Sequence, residues 1–208
     1  MRTDDLISAL ATNEAALGPA AQPRLQWALV AGVVSSLVLC ALFWGFLSQL
    51  LTVMQTPAFV AKIGLGIVTA ALGLMAWPAM LRPGQPKSRA LLMVFVPAVV
   101  VWLWALFGTA TPVMSQAIGG MWTTCTVSIA ALAAPVWLWL MWHAKHFAPT
   151  ALRQAGAMSG AIAGGVGAAV YSLYCPVFDA GYIAVWYVLG IGVCIAFGAL
   201  AGPRSLRW

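Results

Sequence analysis

Cysteine is the residue type with the widest chemical reach in this chain, and it occurs four times, at positions 40, 125, 175 and 194. Two thiols can pair as a disulfide when their Cα atoms come within about 7 Å, and thiolates bind soft metals. Cys40 and Cys194 stand in the middle of long apolar tracts, where a thiol serves as a small packing group. Cys125 and Cys175 stand near the ends of such tracts. The residues themselves leave three readings for this pair: a disulfide, a soft-metal site, or two unconnected buried thiols, the last favoured by how often cysteine is buried. His143 and His146 are a weaker signal, since two histidines alone make a poor metal signature, and both read as solvated. The sequence has no HExxH, phosphate-binding glycine loop, GxSxG or carboxylate pair suited to acid and base work. No catalysis is therefore expected, and no cofactor beyond transient capture of a heavy metal by the thiols.

Composition dictates the elements that must position these groups. The 208 residues are 63% hydrophobic and 7% charged, against about a quarter charged in ordinary soluble domains. Between Arg24 and Lys62, Arg89 and Lys145, and Arg153 and Arg204, the only acid is Asp179. A membrane-spanning helix needs about 20 apolar residues, so each of these tracts is long enough for two crossings and must turn. Pro, Gly and small polar residues mark the turns at 49–57, 108–116 and 175–181, with further turns at 82–89 and 143–153. The expected fold is an all-α membrane protein, a bundle of six transmembrane helices near 25–48, 58–80, 89–108, 119–142, 152–174 and 181–202.

Charge then orients the bundle. Arg2, Arg24, Arg82, Lys87, Arg89, Lys145, Arg153, Arg204 and Arg207 fall on one side and only Lys62 lies near the other. Positive residues stay inside, which puts both termini in the cytoplasm and the chain in a bacterial inner membrane. The net charge of +6 tracks that orientation and the lipid bilayer, not nucleic acid. Lys62, about a turn inside the second helix, reads as an anchor whose stem carries its ammonium back to the headgroups. Trp122, Trp186 and Tyr187 read as interfacial aromatics. Gly156, Gly160 and Gly164, with Gly167 beyond, allow close helix contact and leave a homodimer open. In this frame Cys125 and Cys175 lie at similar depth on the oxidising side.

Residues 1–23 form a separate cytoplasmic segment ahead of the transmembrane domain, 24–208. The start MRTDDLISAL lacks the layout of a cleaved signal peptide, so it should remain in the mature protein. Residues 3–17 read as a short amphipathic helix: Thr3 can cap it, Asp4 and Asp5 suit the positive end of its dipole, and Leu6, Ile7, Leu10 and Leu17 form an apolar stripe. A free helix of this length is marginal in water. With acids and no aromatic before Trp27, the stripe suits a protein partner at least as well as a membrane surface.

Six helices suggest a transporter, but carriers commonly place ionisable groups within the membrane, and this sequence puts none at mid-depth. A small-solute transporter remains the alternative to a sensor or tether. The start TDDLISAL, the PAF of residues 57–59, Trp122-x-x-Cys125 followed by Ser128 and Ile129, the YSLYCP of residues 171–176, the VWYVLGI of 185–191 and the ending GPRSLRW together resemble the NrsF-like family of bacterial membrane anti-sigma factors. The resemblance runs the length of the chain. It implies a protein that holds an extracytoplasmic-function sigma factor at the membrane and releases it under oxidative or heavy-metal stress. It implies that Cys125 and Cys175 are the paired sensing cysteines. With a sigma factor as partner, the stripe and acids of the N-terminal segment make Thr3, Asp4, Asp5, Leu6, Ile7 and Leu10, with the cytoplasmic turns, the expected docking surface. Where the family pattern has His before the second cysteine, this chain has Tyr174. That departure argues against an imidazole ligand and keeps a thiol-only metal site or a disulfide open.

Overall fold

The computed structural model describes residues 21–46, 50–81, 92–108, 122–147, 149 and 151–206, all helical or irregular with no strand among them. Its helices are α1 (Ala21–Phe43), α2 (Pro57–Leu81), α3 (Val96–Phe107), α4 (Trp122–Ala144), α5 (Leu152–Ser172) and α6 (Ala180–Ser205), with a single turn at Leu50–Val53. Four of them, α1, α2, α4 and α6, are long and apolar enough to cross a membrane. The segment 3–17, with Thr3, Asp4, Asp5, Leu6, Ile7 and Leu10, lies outside the described residues, as does the whole 82–89 turn.

Local chemistry explains where the helices begin and end. Helix α1 stops at Phe43, earlier than the expected 48, because Gly45 adopts φ +80°, a left-handed conformation open to glycine. The N–H groups of Trp44 and Gly45 both close on the Cys40 carbonyl. Helix α2 opens with Pro57 in its first turn, where a missing N–H costs nothing, and Thr56 Oγ1 accepts from the Phe59 N–H at 3.3 Å. Helix α3 carries Pro97 in its first turn, where a missing N–H costs nothing, and a turn at Val94 and Phe95 separates it from helical Leu92 and Met93. Its 12 residues reach about 18 Å, short of the roughly 30 Å hydrocarbon core.

Helix α5 is the centre of the molecule, packed against α2, α4 and α6. It is rich in alanine and glycine, and from Ala155 to Ser172 every residue is buried except Val166 and Ala169, which are half-buried. A side chain on Gly156 would strike the Gly198 carbonyl, and one on Gly160 the Cys194 carbonyl, so α5 and α6 touch backbone to backbone. Gly66 and Gly165 do the same between α2 and α5. The glycine stripe left open for a homodimer is thus already occupied within the chain by α6. Ser36 Oγ donates to the Leu132 carbonyl at 2.9 Å and ties α1 to α4.

Outward faces are apolar: Trp27, Val30, Val34, Val38 and Leu42 on α1, and Val96, Val99, Val100, Leu103 and Phe107 on α3 are exposed. The helix directions place Lys145, Arg153 and Arg204 at one end of the bundle, where α4 and α6 finish and α5 begins. Lys62, Cys125 and Cys175 gather at the opposite end, among the starts of α2, α4 and α6 and the turn after α5.

Candidate functional site

The two thiols expected at one level do meet. Cys125 lies in the first turns of α4 and Cys175 begins the irregular turn that follows α5, and their sulfurs are 4.0 Å apart. Both are free and buried. Cys40 and Cys194 stay apart from them: the first sits under Gly45 and Val170, the second against Gly160 and Gly164, each as a packing group.

Tyrosines wall the pair. The Tyr182 hydroxyl is 2.9 Å from Cys125 Sγ and the Tyr171 hydroxyl 3.4 Å from it. Tyr171 comes from the last turn of α5, and its ring centre lies 6.0 Å from that of Tyr187. Tyr182 and Tyr187 reach the same site because α6 is wound as a π-helix over Ile183–Tyr187. In a regular α-helix, residues five apart point about 140° away from each other. The i to i+5 bonding of a π segment brings them onto one face, a device common at functional sites. Tyr187 is fully buried, so its expected role at the interface is corrected, whereas Trp186 is half-buried. The side chain of Trp122 lies outside the described residues.

Lys62 is the main correction. Its side chain is 0% exposed and does not run out to the headgroups. The ammonium turns inward and donates to the carbonyls of Cys175 at 2.7 Å and Val177 at 2.9 Å. It also lies 4.9 Å from the Phe178 ring centre and 5.2 Å from that of Tyr187. The reason is local: residues 175–179 have no regular structure, so their carbonyls need donors, and burial makes an unmet carbonyl costly. A hydrogen bond from the Cys125 thiol, helped by the Lys62 charge, holds the Cys175 thiol below its usual range against the opposing effect of burial.

The site is braced from α1 by Trp44, whose Nε1 donates to Ser128 Oγ at 3.1 Å, one turn beyond Cys125. Ile129 fills the space left by Gly167 and Gly190, which accounts for both Ser128 and Ile129 in the motif around Cys125. At the other end, His143 is buried with its ring 5.2 Å from that of Phe147, against the expectation of a solvated side chain, because its side of α4 faces the core beside Leu140 and Ala144. His146 is exposed. Among the described residues no three His, Cys, Asp or Glu side chains converge as a metal site would require. The arrangement offers two thiols and phenolic oxygens, suited to disulfide formation or to a two-thiolate soft metal.

Tyr171, Tyr182 and Lys62 are the members of the site that the residue chemistry did not pick out. Lys62 carried a signal, being the one cation between Arg24 and Arg82. Tyr171 stood in the YSLYCP motif, four residues before Cys175; Tyr182 carried no signal, since its arrival beside Tyr187 depends on the π turn.

Fold and site together define a class: an all-helical protein with four helices apolar enough to cross a membrane and a buried thiol pair at one end of the bundle. The chain belongs to the family described as Negative regulator of sigma F, whose model matches residues 10–208. It is 33% identical over 213 residues to the probable anti-sigma-F factor NrsF of Azospira oryzae, covering 100% of both chains. It is likewise 33% identical over 218 residues, again 100% of both, to the anti-sigma-F factor NrsF of Caulobacter vibrioides. No solved structure matches. Both relatives are described as anti-sigma-F factors, the first as a probable one.

Proposed function

We propose that this chain is a membrane-bound anti-sigma factor that sequesters an extracytoplasmic-function sigma factor and releases it when Cys125 and Cys175 are oxidised or capture a heavy metal. The observation that carries the regulatory role is the full-length similarity to two anti-sigma-F factors. The 4.0 Å separation of the two sulfurs supports the sensing role.

In this proposal the chain crosses a bacterial inner membrane six times, with both termini in the cytoplasm. The outward apolar faces and the gathering of Lys145, Arg153 and Arg204 at one end support that orientation. Helix α3 would cross only together with neighbouring residues. Residues 1–23 form the cytoplasmic segment and 24–208 the transmembrane domain. Asp4, Asp5, Leu6, Ile7 and Leu10, with Thr3 as cap, dock in an apolar groove of the sigma factor, acids against basic residues. A homodimer would need a face other than the α5 glycine stripe, which α6 covers.

Disulfide formation passes two protons and two electrons from the thiols to an external disulfide oxidant, which is reduced to two thiols, and brings the sulfurs from 4.0 Å to about 2 Å. A signal shifts an equilibrium only through its different affinity for the two states. The thiol pair must therefore sit differently in the holding and released forms, with α4 and α5 carrying the change to the 143–153 turn. The test is an affinity pull-down of the detergent-solubilised chain from its host, with residues 1–20 present or deleted, read by mass spectrometry. A sigma factor retained by the full chain and lost on deletion is the expected result. Its absence from both would overturn the proposal.

A further inference from the structure

Sulfur-to-sulfur closure from 4.0 Å draws on side-chain rotation and on a shift of either backbone, and the two backbones differ in freedom. Cys125 sits inside the hydrogen-bonded α4, whose next turn is wedged by Ile129 against Gly167 and Gly190. Cys175 opens an irregular turn whose own tie to α5 is one N–H bond to the Tyr171 carbonyl. With no helical ladder of its own, the turn is the less constrained of the two backbones, although the Ile183 N–H bonds the Asp179 carbonyl and Phe178 packs on Phe59. Three contacts of the buried Lys62 ammonium are with that turn: the carbonyls of Cys175 and Val177 and the ring of Phe178. Lys62 itself is fixed to α2, which is locked backbone to backbone on α5 through Gly66 and Gly165. The acceptors are carbonyls and not carboxylates, so the strength of the tie depends on where the turn stands.

We propose that Lys62 is a latch: it holds the Cys175 turn in the reduced position, and sulfur closure must pull the two carbonyls off its ammonium. Lys62 is a positioning residue that acts through the Cys175 backbone. In the step it governs, the two thiols lose two protons and two electrons to a disulfide oxidant such as oxidised glutathione, which leaves as two thiols. Breaking the latch strands a buried ammonium without acceptors, an expensive state that its long stem relieves by swinging outward. Oxidation at the thiols thereby becomes a change in where the Lys62 charge sits at the start of α2, a helix that runs to the opposite end of the bundle.

This inference rests on the thiol-switch reading, and the two can fail separately. Persistent release of the sigma factor in a Cys175→Ser strain removes the switch reading. The latch is tested on the purified full chain, titrated through glutathione buffers of graded ratio, with the oxidised fraction read by alkylation and mass. Loss of two hydrogen bonds from a charged donor predicts that Lys62→Met oxidises in buffers at least about tenfold less oxidising than wild type requires. Lys62→Arg, which keeps the charge and donors, stays near wild type. A Lys62→Met titration superimposed on wild type, or displaced the other way, overturns the latch. Should Lys62→Met fail to fold, the wild-type chain still decides. Acylation of Lys62 by an N-hydroxysuccinimide ester should be slow when the pair is reduced and faster after oxidation, and equal rates in both states overturn the proposal.

Discussion

Replacing Gly160 with alanine should destabilise the bundle, while the same change at Gly192 should not. Both glycines lie in helix interiors, where alanine is favoured by about 1 kcal/mol. The environments differ. A Cβ at Gly160 falls on the Cys194 carbonyl, too close for any real contact, and both partners are backbone atoms of packed helices. A Cβ at Gly192 meets nothing within 4 Å. Relieving the first clash means moving α5 and α6 apart along a seam that also includes Gly156 against Gly198. Overpacking of this kind costs about 1 to 3 kcal/mol. The helix-propensity gain is common to both variants and cancels in their difference, which leaves about 2 kcal/mol separating Gly160→Ala from Gly192→Ala. Unfolding by a denaturing detergent, followed by tryptophan fluorescence in mixed micelles, reads that difference. Equal stability of the two variants would refute the backbone contact between α5 and α6.

Two further outcomes follow from the site and the proposed function. Cys125→Ser and Cys175→Ser should each abolish induction of the sigma-dependent regulon by an oxidant, whereas Cys194→Ala, at a packing position, should leave induction intact; a reporter fusion in the host distinguishes these, and normal induction in either serine variant places the sensor elsewhere. Leu6→Asp together with Leu10→Asp should free the sigma factor by charging the apolar stripe of the N-terminal segment, and co-purification that is unchanged after the double substitution would sink the docking model.

Much of the framework was legible before any packing was known. Continuous apolar tracts interrupted by Pro, Gly and polar clusters implied an all-helical fold, because a chain this poor in charge must satisfy its backbone locally. Among the described residues the helices lie close to their expected positions, and Gly45 explains the early end of α1 through its backbone conformation. The four helices apolar enough to span were readable as tracts; α5 was expected as a fifth of the same kind. Its alanine and glycine leave it the least hydropathic of the long helices, yet it is the most buried, since small side chains permit contact with three neighbours.

The candidate site divides along the same line. Cys125 and Cys175 were readable as a pair at one depth, because residue type and distance from a tract end are properties of a linear pattern. Their 4.0 Å separation was not, since it depends on how α4 and α5 cross. Lys62 shows the difference most clearly. A lone cation near a helix end follows the same pattern whether its stem runs outward to headgroups or inward to carbonyls, and the choice belongs to the irregular turn that stands above it. Tyr182 and Tyr187 needed one more element, a π turn whose extra residue has no mark in the sequence. The sequence determined which segments are helical, which residues are apolar and which end of the bundle carries the thiols. Only the tertiary structure decided that α6 covers the glycine stripe and that lysine, thiols and tyrosines share one buried volume, because contacts between residues far apart in the chain depend on packing that no local pattern encodes.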